Sequence, residues 1–154
     1  MRQAWLAGLA ALGLAGTGAE AQVVVTDPAV VGWCLCGQRF VDALYARVEA
    51  AQRDYEDAHA RLQALDNRVN DTRPTVDTDD PGQVDAFRRL VREDEIENAH
   101  FFNDVLPHQQ ALVARYNRRL TRYTAACGGR SFEADALAQA KATLSCGVDQ
   151  DDEP

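Results

Sequence analysis

Four cysteines are the residues of this sequence whose chemistry is easiest to interpret, and they are Cys34, Cys36, Cys127 and Cys146. Cys34 and Cys36 have one residue between them, whereas zinc-binding pairs usually have about two to four. An even number of cysteines in a chain that begins like an exported protein indicates two disulfides. Three pairings are open, and a Cys34–Cys36 bond would close a very small, strained ring. Cys34–Cys127 with Cys36–Cys146 is the pairing that would suit a helical hairpin.

Two Glu-x-x-His motifs are the alternative source of chemistry. Glu56 and His59 form one, and Glu97 and His100 form the other. Such pairs bind two metal ions in four-helix bundles, where two further Glu residues complete the site. Those further carboxylates are missing here, and the four residues lie one step off the apolar faces of their helices. We predict no catalytic residue, metal or cofactor, and keep these four residues as the alternative metal site.

The first 21 residues have the features of an export signal. Arg2 precedes an apolar run over residues 4–15, and residues 19–21 have the small-x-small form of a signal-peptidase site. The run is shorter than the roughly 20 residues that cross a membrane, and no cysteine follows the cleavage site. We expect a mature chain that begins at Gln22, has no membrane anchor, and is periplasmic or secreted.

The chain is acidic, with a net charge of −8. Binding to a phosphate backbone needs an excess of Lys and Arg, and an anionic lipid surface repels an acidic protein. Nucleic acid and the membrane surface are therefore excluded as expected partners.

A long helix carries the first of the two motifs. Its apolar residues are separated alternately by three and four positions, which places them on one face that needs a partner helix; they are Val41, Leu44, Val48, Ala51, Tyr55, Ala58, Leu62, Leu65 and Val69. We predict this helix from about Gln38 to about Asn70. An N-terminal arm over residues 22–37 precedes it and holds the first cysteine pair. Trp33, beside these cysteines, is interpreted as packing against the disulfide.

A second long helix is predicted from Asp80 to Ala126. Asp80 is a suitable N-cap, Pro81 fits the first helical position and Gln83 can complete a capping box. Pro107 lies inside this helix and removes one backbone hydrogen bond, so we expect a kink or a break near residues 104–106. A straight second helix would extend past the first by roughly 16 Å. Its predicted face consists of Val84, Phe87, Val91, Asn98, Phe101, Val105, Leu112, Tyr116, Leu120 and Tyr123, and the polar residues Asp94 and Gln109 also occupy positions on it.

These elements predict an all-α fold, an antiparallel long helical hairpin with coiled-coil character and a short C-terminal helix over residues 38–147, stapled by disulfides. Ser131 is the expected N-cap of the short helix, and residues 148–154 are expected to form an acidic, disordered tail. Two helices bury only one face each, so a homodimer is an expected arrangement. Tyr45, Phe102 and Tyr123 are the candidates for its contact surface.

The last third of the chain resembles small exported bacterial helical proteins of unknown function. The residues that carry the resemblance are Tyr116-Asn117, Tyr123, Cys127-Gly128-Gly129-Arg130, Phe132, Leu137 and Cys146. Such proteins have a second Tyr-Asn pair where this chain has Tyr123-Thr124. The resemblance implies export and a helical, disulfide-bonded build, and no activity. We therefore predict a non-enzymatic interaction or structural protein of the cell envelope, with a metal-binding helical protein as the alternative.

Overall fold

The computed structural model describes residues 23–147, which are almost entirely helical. In chain order the elements are β1 (Val24–Val25), α1 (Pro28–Thr72), α2 (Pro81–His100), α3 (Leu106–Cys127), β2 (Ser131–Phe132) and α4 (Ala134–Thr143). A 3₁₀ turn (Arg73–Thr75) follows α1, and a π-helical turn (Phe101–Val105) joins α2 to α3. The predicted all-α class is confirmed. The predicted signal segment and acidic tail lie outside the described residues.

Helix α1 begins ten residues earlier than predicted, so the predicted arm over residues 22–37 is mostly helix. Asp27 is the N-cap, because its Oδ1 accepts a hydrogen bond of 2.8 Å from the Ala29 N–H, and Pro28 occupies the first turn. Gly37 is buried inside α1 against the ring of Tyr123, where an added Cβ would lie 3.1 Å from a ring carbon. A glycine normally disfavours helix, but here it permits a close approach between α1 and α3.

Contacts between the two arms of the molecule run in opposite order along the chain. Cys34 is bonded to Cys127, the rings of Tyr45 and Tyr116 lie 5.8 Å apart, and Arg61 pairs with Glu97 at 3.1 Å. The second arm is therefore antiparallel to α1. Helix α1 has 45 residues, and α2, the π turn and α3 have 20, 5 and 22. The arms are matched in length, so the predicted overshoot was wrong because α1 starts earlier.

The helix interruption predicted at Pro107 is present, and it takes the form of the π turn. The Leu106 N–H donates to the carbonyl of Phe101, five residues back. Pro107 has no N–H, and its ring would clash with the carbonyl four residues earlier in a regular helix. One wide turn relieves this conflict without ending the arm. The turn also places Phe101 in the core, where it is 3% exposed.

The apolar face predicted for α1 is the face that packs on the second arm. Seven of its nine residues are buried, and Val48 and Tyr55 are half-buried. Gln109, one of the two polar residues predicted in the second face, donates a 3.1 Å hydrogen bond to Gln52 of α1. A specific polar pair of this kind fixes the register between the helices.

A small second core lies at the end of the molecule that holds the cysteines. Val25 of β1 and Val31 of α1 are buried with Ala136 and Ala140 of α4. Strands β1 and β2 pair in parallel, with Val24 opposite Ser131. Ser131 therefore belongs to a strand, and Glu133 is the residue that precedes α4. The predicted N-cap at Ser131 was wrong because pairing with β1, a contact distant in sequence, holds residues 131–132 in a strand, and α4 begins only at Ala134.

The predicted N-cap of α2 is confirmed at Asp80, whose Oδ1 accepts a 2.8 Å hydrogen bond from the Gly82 N–H. The side chain of Gln83 does not bind the Asp80 N–H, because that group donates to the carbonyl of Asp77. It instead donates to the Asp80 carboxylate at 3.0 Å and accepts from the Asp77 N–H at 3.0 Å. The Gln83 side chain and the backbone N–H groups hold the pKa of Asp80 below its usual value.

Asp94 places a second carboxylate opposite Asp66 in the seam between α1 and α2. Its Oδ1 is shielded from solvent and has no hydrogen-bond partner. This burial is the main cause that raises the pKa of Asp94. Repulsion from Asp66, a hydrogen bond to Asp66 and repulsion from Glu95 raise the pKa of Asp94 further. Because the pKa is raised in the folded state, the seam is most stable below the ordinary Asp pKa of about 4 and loses stability as the pH rises above it.

We expect Asp94→Asn to raise the melting temperature at pH 7 by about 1–5 °C. The amide removes the repulsion and can donate a hydrogen bond to Asp66. The gain should shrink as the pH falls toward 4, where Asp94 of the wild-type chain becomes protonated. Thermal unfolding at pH 4, 5.5 and 7 measures this, with Glu93→Gln as the matched control on an exposed position of α2. If both variants raise the melting temperature equally, the increase comes from the lower net negative charge and not from the Asp94–Asp66 contact.

Candidate functional site

Two disulfides join the elements at one end of the hairpin. Cys34 of α1 is bonded to Cys127 at the end of α3, with 5.8 Å between Cα atoms. Cys36 is bonded to Cys146, which follows α4, with 5.4 Å between Cα atoms. Of the three pairings open in sequence, the structure adopts the one that suits a hairpin. The first bond joins the two arms, and the second holds the chain after α4 against α1.

A groove of about 600 Å³ lies beside the Cys36–Cys146 bond, and we call it the stapled-end groove. Helices α1 and α3 and the chain over residues 140–147 form its walls. Its lining includes the aromatic residues Trp33, Phe40 and Tyr123, the arginines Arg119 and Arg122, and Leu144. Pockets for small ligands have volumes of this size.

Trp33, interpreted from the sequence as packing beside the disulfide, is largely exposed to solvent. It lines the stapled-end groove and is 56% exposed. The core at this end contains Val31 and Ala140, and Trp33 is not part of it. An exposed Trp in a concave surface is unusual for a residue that normally buries most of its area. Sequence could place Trp33 beside the cysteines, but its exposure depends on where α4 packs.

Two aromatic side chains hold the shape of the groove. The ring of Tyr123 lies over Gly37, as described above. The guanidinium carbon of Arg119 lies 5.0 Å from the centre of the Phe40 ring, which is a cation–π contact. Phe40 and Arg119 come from different helices, so this contact links α1 to α3 inside the groove.

The four residues of the alternative metal site have other contacts. Glu97 pairs with Arg61 at 3.1 Å, and Nδ1 of His100 lies 3.1 Å from Oδ2 of Asp104. Glu56 accepts a 2.8 Å hydrogen bond from Gln52. The His59 ring stacks on Tyr55, with centroids 5.9 Å apart, and contacts Phe101 at 5.6 Å. No group of three or more His, Cys, Asp or Glu residues that could hold a metal ion occurs within residues 23–147.

A second, more open cleft of about 400 Å³ lies beside the π turn. His100, Asp104 and His108 line it from the second arm, and Asp54 and Asp57 line it from α1. His100, Asp104 and His108 are spaced four residues apart, and they share this cleft. The cleft is a solvated polar surface, because the side chains of His100 and Asp104, which contact each other, are 48% and 70% exposed.

The residues predicted for a dimer contact lie at three levels of the molecule. Tyr123 is half-buried in the stapled-end groove, and Tyr45 is 49% exposed beside Tyr116. A hydrogen bond to Glu49 raises the pKa of Tyr45. Phe102 is 52% exposed and packs edge-on against Phe101 at the π turn. The dimer stays a prediction.

No family model, no curated protein and no solved structure matches the chain. Within residues 23–147, none of the helices is both long enough and apolar enough to span a membrane. The fold itself defines the class, which is an all-α hairpin with two disulfides. The resemblance of the last third of the chain to exported bacterial proteins remains an expectation.

Proposed function

We propose that this chain is an exported, non-enzymatic interaction protein that binds its partner through the stapled-end groove. The observation that carries the proposal is Trp33, an indole 56% exposed in a groove whose walls are cross-linked by a disulfide. Tryptophan is strongly enriched among the residues that dominate binding energy at interfaces. Cross-linked walls lose little conformational freedom when a partner binds, so less of the binding energy is spent on ordering them.

The side chains of the groove favour binding over catalysis. Its described lining contains no carboxylate or imidazole, which are the usual proton acceptors in catalysis. Its two cysteines, Cys36 and Cys146, are bonded to each other. What the groove offers instead is aromatic surface and guanidinium groups, which recognise a ligand without reacting with it.

Export to the periplasm or the cell exterior is part of the proposal. Disulfides persist in oxidising compartments and are rare in the cytosol. The first 21 residues have the pattern of a cleaved signal, and the resemblance of the last third is to exported proteins. The partner is therefore expected among proteins of the cell envelope.

Comparison of Trp33→Ala with Ile96→Ala tests the proposal. Ile96 is 71% exposed on α2 and does not line the groove, so its substitution removes exposed apolar area elsewhere. Mature, disulfide-bonded protein is used to capture partners from the envelope of the producing organism. We expect at least one protein to be retained by the wild-type chain and by Ile96→Ala, and to be reduced about tenfold or more by Trp33→Ala. Identical capture by all three chains would show that the groove is not the binding surface.

A further inference from the structure

We infer that the Cys36–Cys146 bond is a redox switch, and that its reduction by a dithiol opens the stapled-end groove and releases the partner. This rests on the proposed function and names the regulation of the same site. The two disulfides of the chain differ in their access to solvent. Cys34 and Cys127 are 2% and 6% exposed. Cys36 and Cys146 are half-buried and line the groove, so a reductant can reach their bond in the folded chain.

The reaction is a thiol–disulfide exchange in two steps. One thiolate of the dithiol attacks a sulfur of the Cys36–Cys146 bond and forms a mixed disulfide, and the other cysteine leaves as a thiolate that takes up a proton. The second thiol of the reductant loses its proton and displaces the remaining cysteine, which is protonated in turn. The dithiol is thereby oxidised to a disulfide by two electrons, and both cysteines are reduced to thiols. Exposed disulfides are the labile and regulatory ones, because exchange depends on access to the sulfur.

The Cys36–Cys146 bond holds a wall of the groove that has no regular secondary structure. Residues 144–147 follow the end of α4 without helix or strand. The bond ties Cys146 to α1, and Leu144 packs against Gly32, where an added Cβ would lie 3.8 Å from the leucine side chain. Once the bond is broken, the wall depends on non-covalent contacts. Short segments without regular structure are the parts of a protein that open most readily.

The rest of the molecule keeps its contacts when this bond is reduced. The Cys34–Cys127 bond still joins α1 to the end of α3. Helix α4 is held separately, because its Ala140 lies in the small core with Val31 of α1. Reduction therefore changes the wall over residues 144–147 and leaves the hairpin intact.

Opening this wall weakens partner binding because the binding site loses an ordered side. Trp33 and Cys36 are three residues apart on α1, which makes their side chains neighbours on one face of the helix. Leu144 of the wall lines the same groove. A site whose walls are already ordered loses less conformational entropy when a partner binds. The oxidised chain is therefore the binding form, and the reduced chain is the form that releases the partner.

Timed reduction of the mature protein with dithiothreitol, followed by alkylation and peptide mass spectrometry, tests the selectivity. We expect Cys36 and Cys146 to be alkylated about tenfold or more faster than Cys34 and Cys127. The far-ultraviolet circular dichroism spectrum should be unchanged while only the first pair is reduced. Equal rates for the two pairs, or faster alkylation of Cys34 and Cys127, would overturn the inference.

Envelope capture then tests whether reduction releases the partner. Capture by Cys36→Ala/Cys146→Ala, which lacks the switch bond, should fall about fivefold or more below that of the oxidised wild-type chain. Cys34→Ala/Cys127→Ala is the matched control, because it opens the same small loop between the disulfides but keeps the wall in place. This control should capture the partner as the wild-type chain does. Selective reduction of the wild-type chain should release the bound partner, and reoxidation should restore capture.

The outcomes separate this inference from the proposed function. Undiminished capture by Cys36→Ala/Cys146→Ala, with Trp33→Ala still defective, would overturn the switch and leave the proposed function standing. An equal loss of capture in the two double variants would also overturn the switch, because the shared loss of stability would then explain it. Capture that does not depend on Trp33 would overturn the proposed function and the switch together.

Discussion

Replacing Cys34 and Cys127 by alanine is expected to lower the free energy of unfolding by about 3 kcal/mol. A single bond between residues 93 positions apart would contribute about 4.6 kcal/mol by restricting the unfolded chain. The Cys36–Cys146 bond, however, already joins the same two ends of the chain. With that bond intact, the shortest loop closed by Cys34–Cys127 runs through residues 34–36 and 127–146, about 20 residues. A loop of that size accounts for the smaller value.

For the same reason, the cost of removing both disulfides should exceed the sum of the costs of removing each one alone. Replacing Cys36 and Cys146 by alanine should also cost about 3 kcal/mol, because it opens the same small loop. Replacing all four cysteines should cost about 8 kcal/mol, since the large loop is then open as well. That is comparable with the whole stability of a typical domain, about 5–15 kcal/mol. The four-alanine chain should therefore lose most of its cooperative unfolding transition at 25 °C.

Urea unfolding followed by circular dichroism measures these differences. Cys34 is 2% exposed, so its pair should cost slightly more than the Cys36 pair through lost packing. A cost of about 4.6 kcal/mol for each pair, summing in the four-alanine chain, would contradict the shared-loop argument. Under reducing conditions the wild-type chain should have nearly the same urea midpoint as the four-alanine chain. Any remaining difference should reflect the packing of four cysteine side chains compared with four alanines.

Phe101→Ala is expected to lower the free energy of unfolding by about 3–5 kcal/mol, the range for a phenylalanine removed from a core. Phe101 is 3% exposed, and its ring lies 5.3 Å from Tyr55 and 5.0 Å from Phe102 between centroids. It packs with Ala58 and Leu62 in the middle of the hairpin.

Phe102→Ala is the matched control for this prediction, since it removes the same side chain one position later. Phe102 is 52% exposed, so its loss should cost about 1 kcal/mol. Urea unfolding of both variants gives the difference, and both should retain the helical circular dichroism spectrum. Equal costs would mean that the π turn rearranges when Phe101 is removed and moves Phe102 into the core.

Local patterns were sufficient to predict much of the hairpin. The apolar face of α1, the N-cap at Asp80 and the interruption before Pro107 depend on residues within a few positions of one another, and all three are present. The conflict at Pro107 is also local, but its resolution is not. A kink, a break and a π turn satisfy Pro107 equally, and the π turn is the one that places Phe101 against Ala58 of the other arm.

Most of the errors have one physical origin, which is contact between residues distant in sequence. The early start of α1 is a partial exception, because its N-cap Asp27 and Pro28 are local signals, whereas Gly37 is accommodated inside the helix by the packing of Tyr123. Ser131 has the local character of an N-cap, but its pairing with Val24 places it in a strand, and α4 starts at Ala134. The exposure of Trp33 could not be predicted from its neighbours, because the groove that it lines is completed by residues 140–147, more than 100 positions later.

The cysteines show how far sequence alone extends in this protein. Their number predicted two disulfides, and the apolar periodicity of the chain between them predicted a helical hairpin, while the pairing was decided by the fold. Helical periodicity is a property of neighbouring residues, so it can be read directly. The stapled-end groove was decided only by tertiary structure, because Trp33, Arg119 and Leu144 come from three segments that the fold brings together. No spacing within any one segment carries that information.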